Sequence, residues 1–147
     1  MNLTDHLRQV KTLIEALPSN PSVKIFAGKL DEEGIKGLAF DGKRPYVLLS
    51  GIGGSVPDRT ERLGLELDSV FAAFIVAKAD QETIGYSSVA SDTAVEIAKL
   101  IDKYRGDKKT NVKLPMLQSV EELFSGSKGG TNYSGWSVSW IQRISLV

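Results

Sequence analysis

The longest apolar segment of the chain, residues 63–78 (LGLELDSVFAAFIVAK), changes its pattern halfway along. In its first half, leucines alternate with Glu66 and Asp68, which is typical of a half-buried strand. From residue 70 to residue 77 both faces are apolar, so each face needs a cover: a helix layer, a second sheet or another subunit. Helical spacing is also present, but the alternation and the Phe, Ile and Val content favour a strand. We predict that this segment is the longest strand of a small sheet.

Two amphipathic helices are predicted from apolar stripes with a spacing of three to four. The first helix ends before Pro18, and its stripe is Leu3, Leu7, Val10, Ile14 and Leu17. The second helix ends before Gly106, with basic residues in its last turn, and its stripe is Ala90, Ala94, Ile97, Ile101 and Tyr104. We expect the second helix to cover one face of the long strand.

Three further segments have strand-like patterns. Residues 22–27 alternate, and residues 45–51 (PYVLLSG) form a short apolar run that begins with a proline. The strongest alternation closes the chain, and its apolar face is Trp136, Val138, Trp140, Ile144 and Leu146. We predict that this last strand pairs beside the long strand. Residues 119–124 fit either a helical turn or a strand. The pattern as a whole predicts an α/β (α+β) fold, with a mainly antiparallel sheet of about four to five strands and two principal helices packed on it.

Two glycine-rich segments, residues 51–61 and 125–134, are predicted to be polar loops. The first segment follows a predicted strand, which is where glycine-rich nucleotide-binding loops occur. A dinucleotide fingerprint needs a third glycine where Val56 stands, and no Gly-Lys-Ser/Thr sequence is present. We therefore interpret it as a hairpin loop that serves as a contact surface. Residues 28–44 are expected to be a connector with one helical turn around residues 31–36.

Composition narrows the class of function. The 147 residues suit a single domain, and 18 basic against 18 acidic residues give no net charge, which disfavours nucleic-acid binding as the main role. Without cysteine there is neither a disulfide nor a thiolate metal site. No apolar run approaches the ~20 residues of a membrane span. The N-terminus lacks a secretory signal, so we expect the protein to stay in the cytoplasm of the cell that makes it.

The sequence contains no constellation of catalytic groups typical of an enzyme. His6, the one histidine, is predicted to lie exposed on the polar flank of the first helix. Glu66 and Asp68 would share a strand face ~7 Å apart, a spacing that suits a cation or acid–base chemistry. Alternation on a solvent-facing strand face explains these two carboxylates more simply. We expect no catalytic, cofactor-binding or metal-binding residues, and we predict that the protein is not an enzyme.

The order of these elements resembles the tail terminator and tail completion proteins of tailed bacteriophages. The similarity is to the small proteins encoded beside the sheath and tube genes of Mu-like contractile phages and prophages. It spans nearly the whole chain, and residues 28–44 depart from it. The segments that carry it are Pro45 to Ser55, Phe71 to Asp80, Glu122 to Phe124 and Trp136 to Leu146.

The resemblance implies a structural virion protein that forms a sixfold ring. Such a ring caps the tail tube, ends its elongation and provides a platform for the head. The implied partners are further copies of the chain, the tail tube protein, the sheath protein and the head–tail connector proteins, with no cofactor, specific nucleic acid or membrane. The implied locations are the virion tail and, during assembly, the host cytoplasm. Candidate subunit or tube contacts are Gly51, Gly53, Gly54, Arg59, Arg62 and Lys128.

Two other functions stay open from the sequence. One is an adaptor in the neck or baseplate of a phage tail, which would not set tail length. The other, more distant alternative is a small-molecule enzyme. It would require a ligand at residues 51–61 or at the Glu66 and Asp68 pair.

Overall fold

The computed structural model describes residues 3–26, 44–56, 66–78, 88–104, 114–128 and 131–145. In chain order the elements are α1 (Leu3–Glu15), β1 (Ser22–Ile25), β2 (Tyr46–Ser55), β3 (Glu66–Lys78), α2 (Ser88–Lys103), β4 (Met116–Lys128) and β5 (Thr131–Ser145). Together they form an α+β fold, in which two helices pack on a five-stranded mixed sheet. The predicted fold class is confirmed.

The sheet has the strand order β1-β2-β3-β5-β4. β1 pairs with β2 in parallel, and every other pair is antiparallel. β3 lies in the centre, paired along its whole length with β5 and with β2 on its other side. The predicted long strand and its pairing with the closing strand are therefore confirmed. β1 and β4 are the two edges of this sheet.

One face of the sheet forms the main hydrophobic core with both helices. Phe71 of β3 and Trp140 of β5 are fully buried there, with ring centroids 5.8 Å apart. The predicted helix stripes face them, with Leu7, Val10 and Ile14 from α1 and Ala90, Ala94, Ile97 and Ile101 from α2. Leu3 and Leu17 are partly buried at the two ends of the first stripe. The helix layer is thus one of the covers that the doubly apolar strand required.

The second face of the sheet, opposite the helices, is also buried along its middle. Leu48, Ala72 and Val76 are 6%, 2% and 1% exposed, and Ser50 beside them is fully buried. These side chains alternate with the core residues along β2 and β3, as the two-residue period of a strand requires. Within the described ranges no helix or strand packs on this face. The prediction of two buried faces holds.

The prediction of a loop over residues 51–61 is wrong for its first half. β2 continues to Ser55, and its register runs from Gly53 opposite Val70 to Ser55 opposite Asp68. Strand pairing needs only backbone groups, so a glycine-rich segment beside the long β3 completes the ladder without apolar side chains of its own. A bulge between Gly51 and Gly53 accommodates one extra residue. Residues 57–61 lie outside the described ranges.

The second predicted loop, residues 125–134, is also wrong. β4 extends to Lys128 and β5 begins at Thr131, and the two strands pair as a hairpin up to that end. Residues 119–124, for which helix and strand were both open, belong to β4. The polar Ser and Gly residues gave no strand-like alternation, yet β5 supplies a full partner ladder. The connector predicted over residues 28–44 falls almost wholly outside the described part of the chain.

Candidate functional site

The structure contains a groove of about 790 Å³ at one end of the second face. Four strands contribute to it: the end of β2, the first half of β3, the end of β5 and the segment leading into β4. Its apolar walls are Ile52, Val70, Leu114, Met116 and Ile141, and its polar groups include Ser55, Asp68 and Arg143. Since Gly53 and Gly54 also line it, backbone atoms are accessible from the groove. A mainly apolar groove with a few convergent polar groups is suited to binding.

An ion pair lies within this groove. The guanidinium of Arg143 donates from Nε to Oδ1 of Asp68 at 2.7 Å and from Nη2 to Oδ2 at 3.0 Å. These hydrogen bonds hold the pKa of Asp68 below its usual range and raise the pKa of Arg143, to which the charge of Glu66 also contributes. The two side chains are 28% and 37% exposed, so they neutralise each other at the groove surface. Glu66 and Asp68 are therefore not arranged as a pair around a metal cation, because Asp68 is already paired with Arg143.

Two glycines shape the rim of the groove. Gly53 has a backbone φ of 140°, a conformation that side-chain-bearing residues rarely adopt. A Cβ added to Gly54 would lie 2.9 Å from the carbonyl oxygen of Asp68 and 3.2 Å from the Cα of Ser69. Glycine thus allows β2 and β3 to approach closely here.

The Gly54→Ala variant is expected to lower the free energy of unfolding by about 1–3 kcal/mol, because the added methyl group overlaps backbone atoms that cannot move aside cheaply. Gly51→Ala is the matched control on the same strand, since its Cβ would meet the Phe71 ring at 3.6 Å, an ordinary contact. Urea unfolding of both variants measures the difference. Equal stabilities would contradict a tight approach at Gly54.

The predicted contact residues that the structure describes lie in different parts of the sheet. Gly53 and Gly54 are exposed and line the groove, whereas Gly51 is half-buried against Phe71. Lys128 is the last residue of β4, paired with Thr131 at the end of the sheet opposite the groove. Arg59 and Arg62 lie outside the described residues. The structure therefore separates Lys128 from the two glycines.

The sequence interpretation missed several exposed apolar residues at the edge strand. Leu114, Met116, Leu117 and Leu123, just before or within β4, are 59%, 66%, 37% and 37% exposed. Leu114 and Met116 also line the groove, whereas Leu117 pairs with Trp140 and lies on the helix side of the sheet, and Leu123 lies further along β4. Leu114 and Met116 are grouped with the other apolar residues of the groove, and such groups mark contact surfaces more often than isolated apolar residues do. The two-residue spacing of Leu114 and Met116 was visible in the sequence, but Pro115 between them obscured the strand.

The prediction for His6 is wrong, because this residue is fully buried. Its ring lies 5.0 Å from that of Phe71 and 6.5 Å from that of Tyr104, and its Nε2 donates to Oε1 of Gln142 at 3.0 Å. Burial lowers the pKa of His6 to about 4, although the hydrogen bond to Gln142 acts in the opposite direction. The ring is therefore a neutral core group at physiological pH. Its position between two stripe residues, Leu3 and Leu7, gave only a weak signal of burial.

The described part of the chain contains neither a metal-binding cluster nor a membrane-spanning helix. No cluster of three or more His, Cys, Asp or Glu side chains is arranged there to hold a metal ion. Neither α1 nor α2 has the length and apolar character needed to cross a membrane.

Comparison with known proteins gives a likeness of fold. No protein-family model and no curated protein matches the chain. Among solved structures 18 chains match, so the fold recurs in known structures. One of them is 11% identical, with a TM-score of 0.50 and coverage of 96% of both chains. At this low identity the likeness shows the fold alone.

Proposed function

We propose that this protein is a structural component of a bacteriophage or prophage tail, which assembles as a ring on the end of the tail tube. In this role it stops tube elongation and provides the surface to which the head connector attaches. It acts by binding other proteins and performs no chemical reaction. Its sites of action are the host cytoplasm during assembly and the virion tail afterwards.

The observation that carries this proposal is the groove together with the exposed Leu114 and Met116 in its lining. Leu114 and Met116 are 59% and 66% exposed beside the apolar groove walls. Apolar side chains exposed in this way are costly in water and become useful when another protein covers them. The rigid sheet positions this surface, because three of its lining strands are hydrogen-bonded to each other. Such a surface suits a permanent protein–protein contact.

Two further features support a ring through which DNA passes. The chain carries 18 basic and 18 acidic residues, so a ring of its copies has no excess charge with which to grip phosphates. The resemblance of the sequence to tail terminator proteins points in the same direction. The partners in this proposal are other copies of the chain, the tube and sheath proteins and the connector proteins.

Deletion of the gene tests the proposal, with tail length measured by electron microscopy. The expected result is overlong tails without heads, because nothing stops tube growth. A plasmid carrying the wild-type gene should restore normal length, which controls for effects on neighbouring genes. Tails of normal length that fail to join heads would favour the neck adaptor instead, and intact infectious particles would exclude both roles.

A further inference from the structure

The two edges of the sheet are aligned by a continuous row of paired residues. This row crosses all five strands, and each residue pairs with the next: Lys24 of β1, Leu48 of β2, Phe74 of β3, Ser137 of β5 and Glu121 of β4. Residues paired across a ladder lie on the same face of the sheet. Lys24 and Glu121 are therefore at the same level and on the same face, at opposite edges of the molecule.

These edge residues carry opposite charges and are exposed. Lys24 is an exposed side chain on β1, and Glu121 is an exposed side chain on β4. Within the described residues neither forms an ion pair. One edge of the sheet thus presents a cation and the other presents an anion at matching height, which is charge complementarity between two surfaces of the same molecule.

The strand directions are also complementary. Since β1 is parallel to β2 and each later pair is antiparallel, β1 and β4 run in opposite directions. If a second copy is placed beside the first with its strands in the same orientation, its β1 runs antiparallel to the first copy's β4. No described strand pairs with the outer side of either edge. The outer backbone groups of an edge strand are available for such an added strand.

We propose that copies of this chain join edge to edge, with β4 of one copy paired to β1 of the next and Glu121 opposite Lys24. The contact uses two different surfaces, so it is heterologous and propagates from copy to copy until rotation closes a ring. This inference rests on the proposed function and names the contact that builds the ring.

Charge reversal at each edge tests the contact, with the assembly state of the full chain measured by sedimentation velocity at low ionic strength. Lys24→Glu places two acidic residues at every junction, and Glu121→Lys places two basic residues there. Each variant alone is expected to associate about tenfold more weakly at each junction than the wild type does. Both positions are exposed, so the thermal midpoint of each variant should stay close to the wild-type value.

An equal mixture of the two variants gives the decisive result. In an alternating arrangement every junction again joins one acidic and one basic residue, so the mixture should assemble more strongly than either variant does alone. The double variant Lys24→Glu/Glu121→Lys should likewise assemble by itself. Lys78→Glu is the matched control, because Lys78 is exposed but belongs to the central strand β3, and it should leave assembly unchanged.

Several results would overturn the edge-to-edge contact. The contact would be rejected if the wild-type chain sediments as a monomer at every concentration. It would also be rejected if the mixture of Lys24→Glu and Glu121→Lys fails to assemble. An effect of Glu121→Lys without any effect of Lys24→Glu would instead indicate a contact between two β4 strands. These results are distinguishable from failure of the proposed function. Overlong tails after gene deletion together with unaffected edge variants would leave the terminator role standing and reject this contact.

Discussion

Replacing Trp140 with alanine is expected to lower the free energy of unfolding by about 3–5 kcal/mol. The side chain is fully buried on β5 and packs on Phe71, at the place where the central strands meet the helix layer. Its removal deletes much apolar contact and leaves a cavity that the surrounding strands cannot close. Because a typical domain is stable by only about 5–15 kcal/mol, the variant should be close to unfolding. Denaturant unfolding followed by circular dichroism measures the loss.

Trp136→Ala is the matched control for this prediction. Trp136 is the same residue type on the same strand and the same face, but it is only partly buried at the border of the core. The loss of stability should be clearly smaller, since less area is returned to water. Equal losses at the two positions would mean that the core is not centred on Trp140.

Lowering the pH from neutrality to 4 is expected to destabilise the protein by about 3 kcal/mol through His6 alone. The pKa of His6 falls from 6.5 in the unfolded chain to about 4 in the folded protein. Between these two values the unfolded state binds a proton that the buried ring does not, so unfolding is favoured as the pH falls. Above 6.5 the ring is neutral in both states, and the contribution of His6 no longer changes.

The pKa of His6 can be measured directly, because His6 is the only histidine in the sequence. Its imidazole resonance, followed by NMR during a pH titration, should move near pH 4 if the protein remains folded there. A resonance that titrates near 6.5 would contradict the buried position. His6→Gln is the control variant, since glutamine can still donate to Gln142 but does not titrate. Its stability should depend less on pH between 6.5 and 4.

The Asp68–Arg143 pair makes stability depend on pH in a lower range than His6 does. Hydrogen bonds from Arg143 lower the pKa of Asp68 below its ordinary value of 3.8. The stability that this carboxylate contributes is complete above that ordinary value and is lost as the pH falls through the lower, folded-state pKa. Acid unfolding should therefore have two components, of which only the one at higher pH disappears in His6→Gln.

The amphipathic helices and the two central strands could be predicted because their patterns repeat. The α1 and α2 stripes and the alternation around Trp140 all face the core, as their periods require. The ends of β2 and β4 could not be predicted in this way. Their Gly and Ser residues lack a hydrophobic period, and they are strands because a neighbouring strand offers them a complete set of backbone partners.

The groove was predictable only in part. Gly53 and Gly54 belong to the glycine-rich segment that was predicted to be a contact surface, and they line the groove. Their role is nonetheless different from the flexible loop that was expected, because Gly54 permits close contact between two strands. Met116 and Arg143, which complete the groove, come from distant parts of the sequence, and nothing in their local pattern connects them to these glycines.

By itself the sequence determined the elements whose side chains alternate or repeat: two helices, a doubly apolar central strand and an aromatic closing strand. It also determined that the protein carries no net charge and a single histidine. Tertiary structure alone decided that His6 is buried against Gln142, that Asp68 meets Arg143, and that Lys24 and Glu121 stand level on opposite edges. Periodicity encodes which face of an element is buried. Strand order and register, set by backbone pairing between distant segments, decide which residues meet.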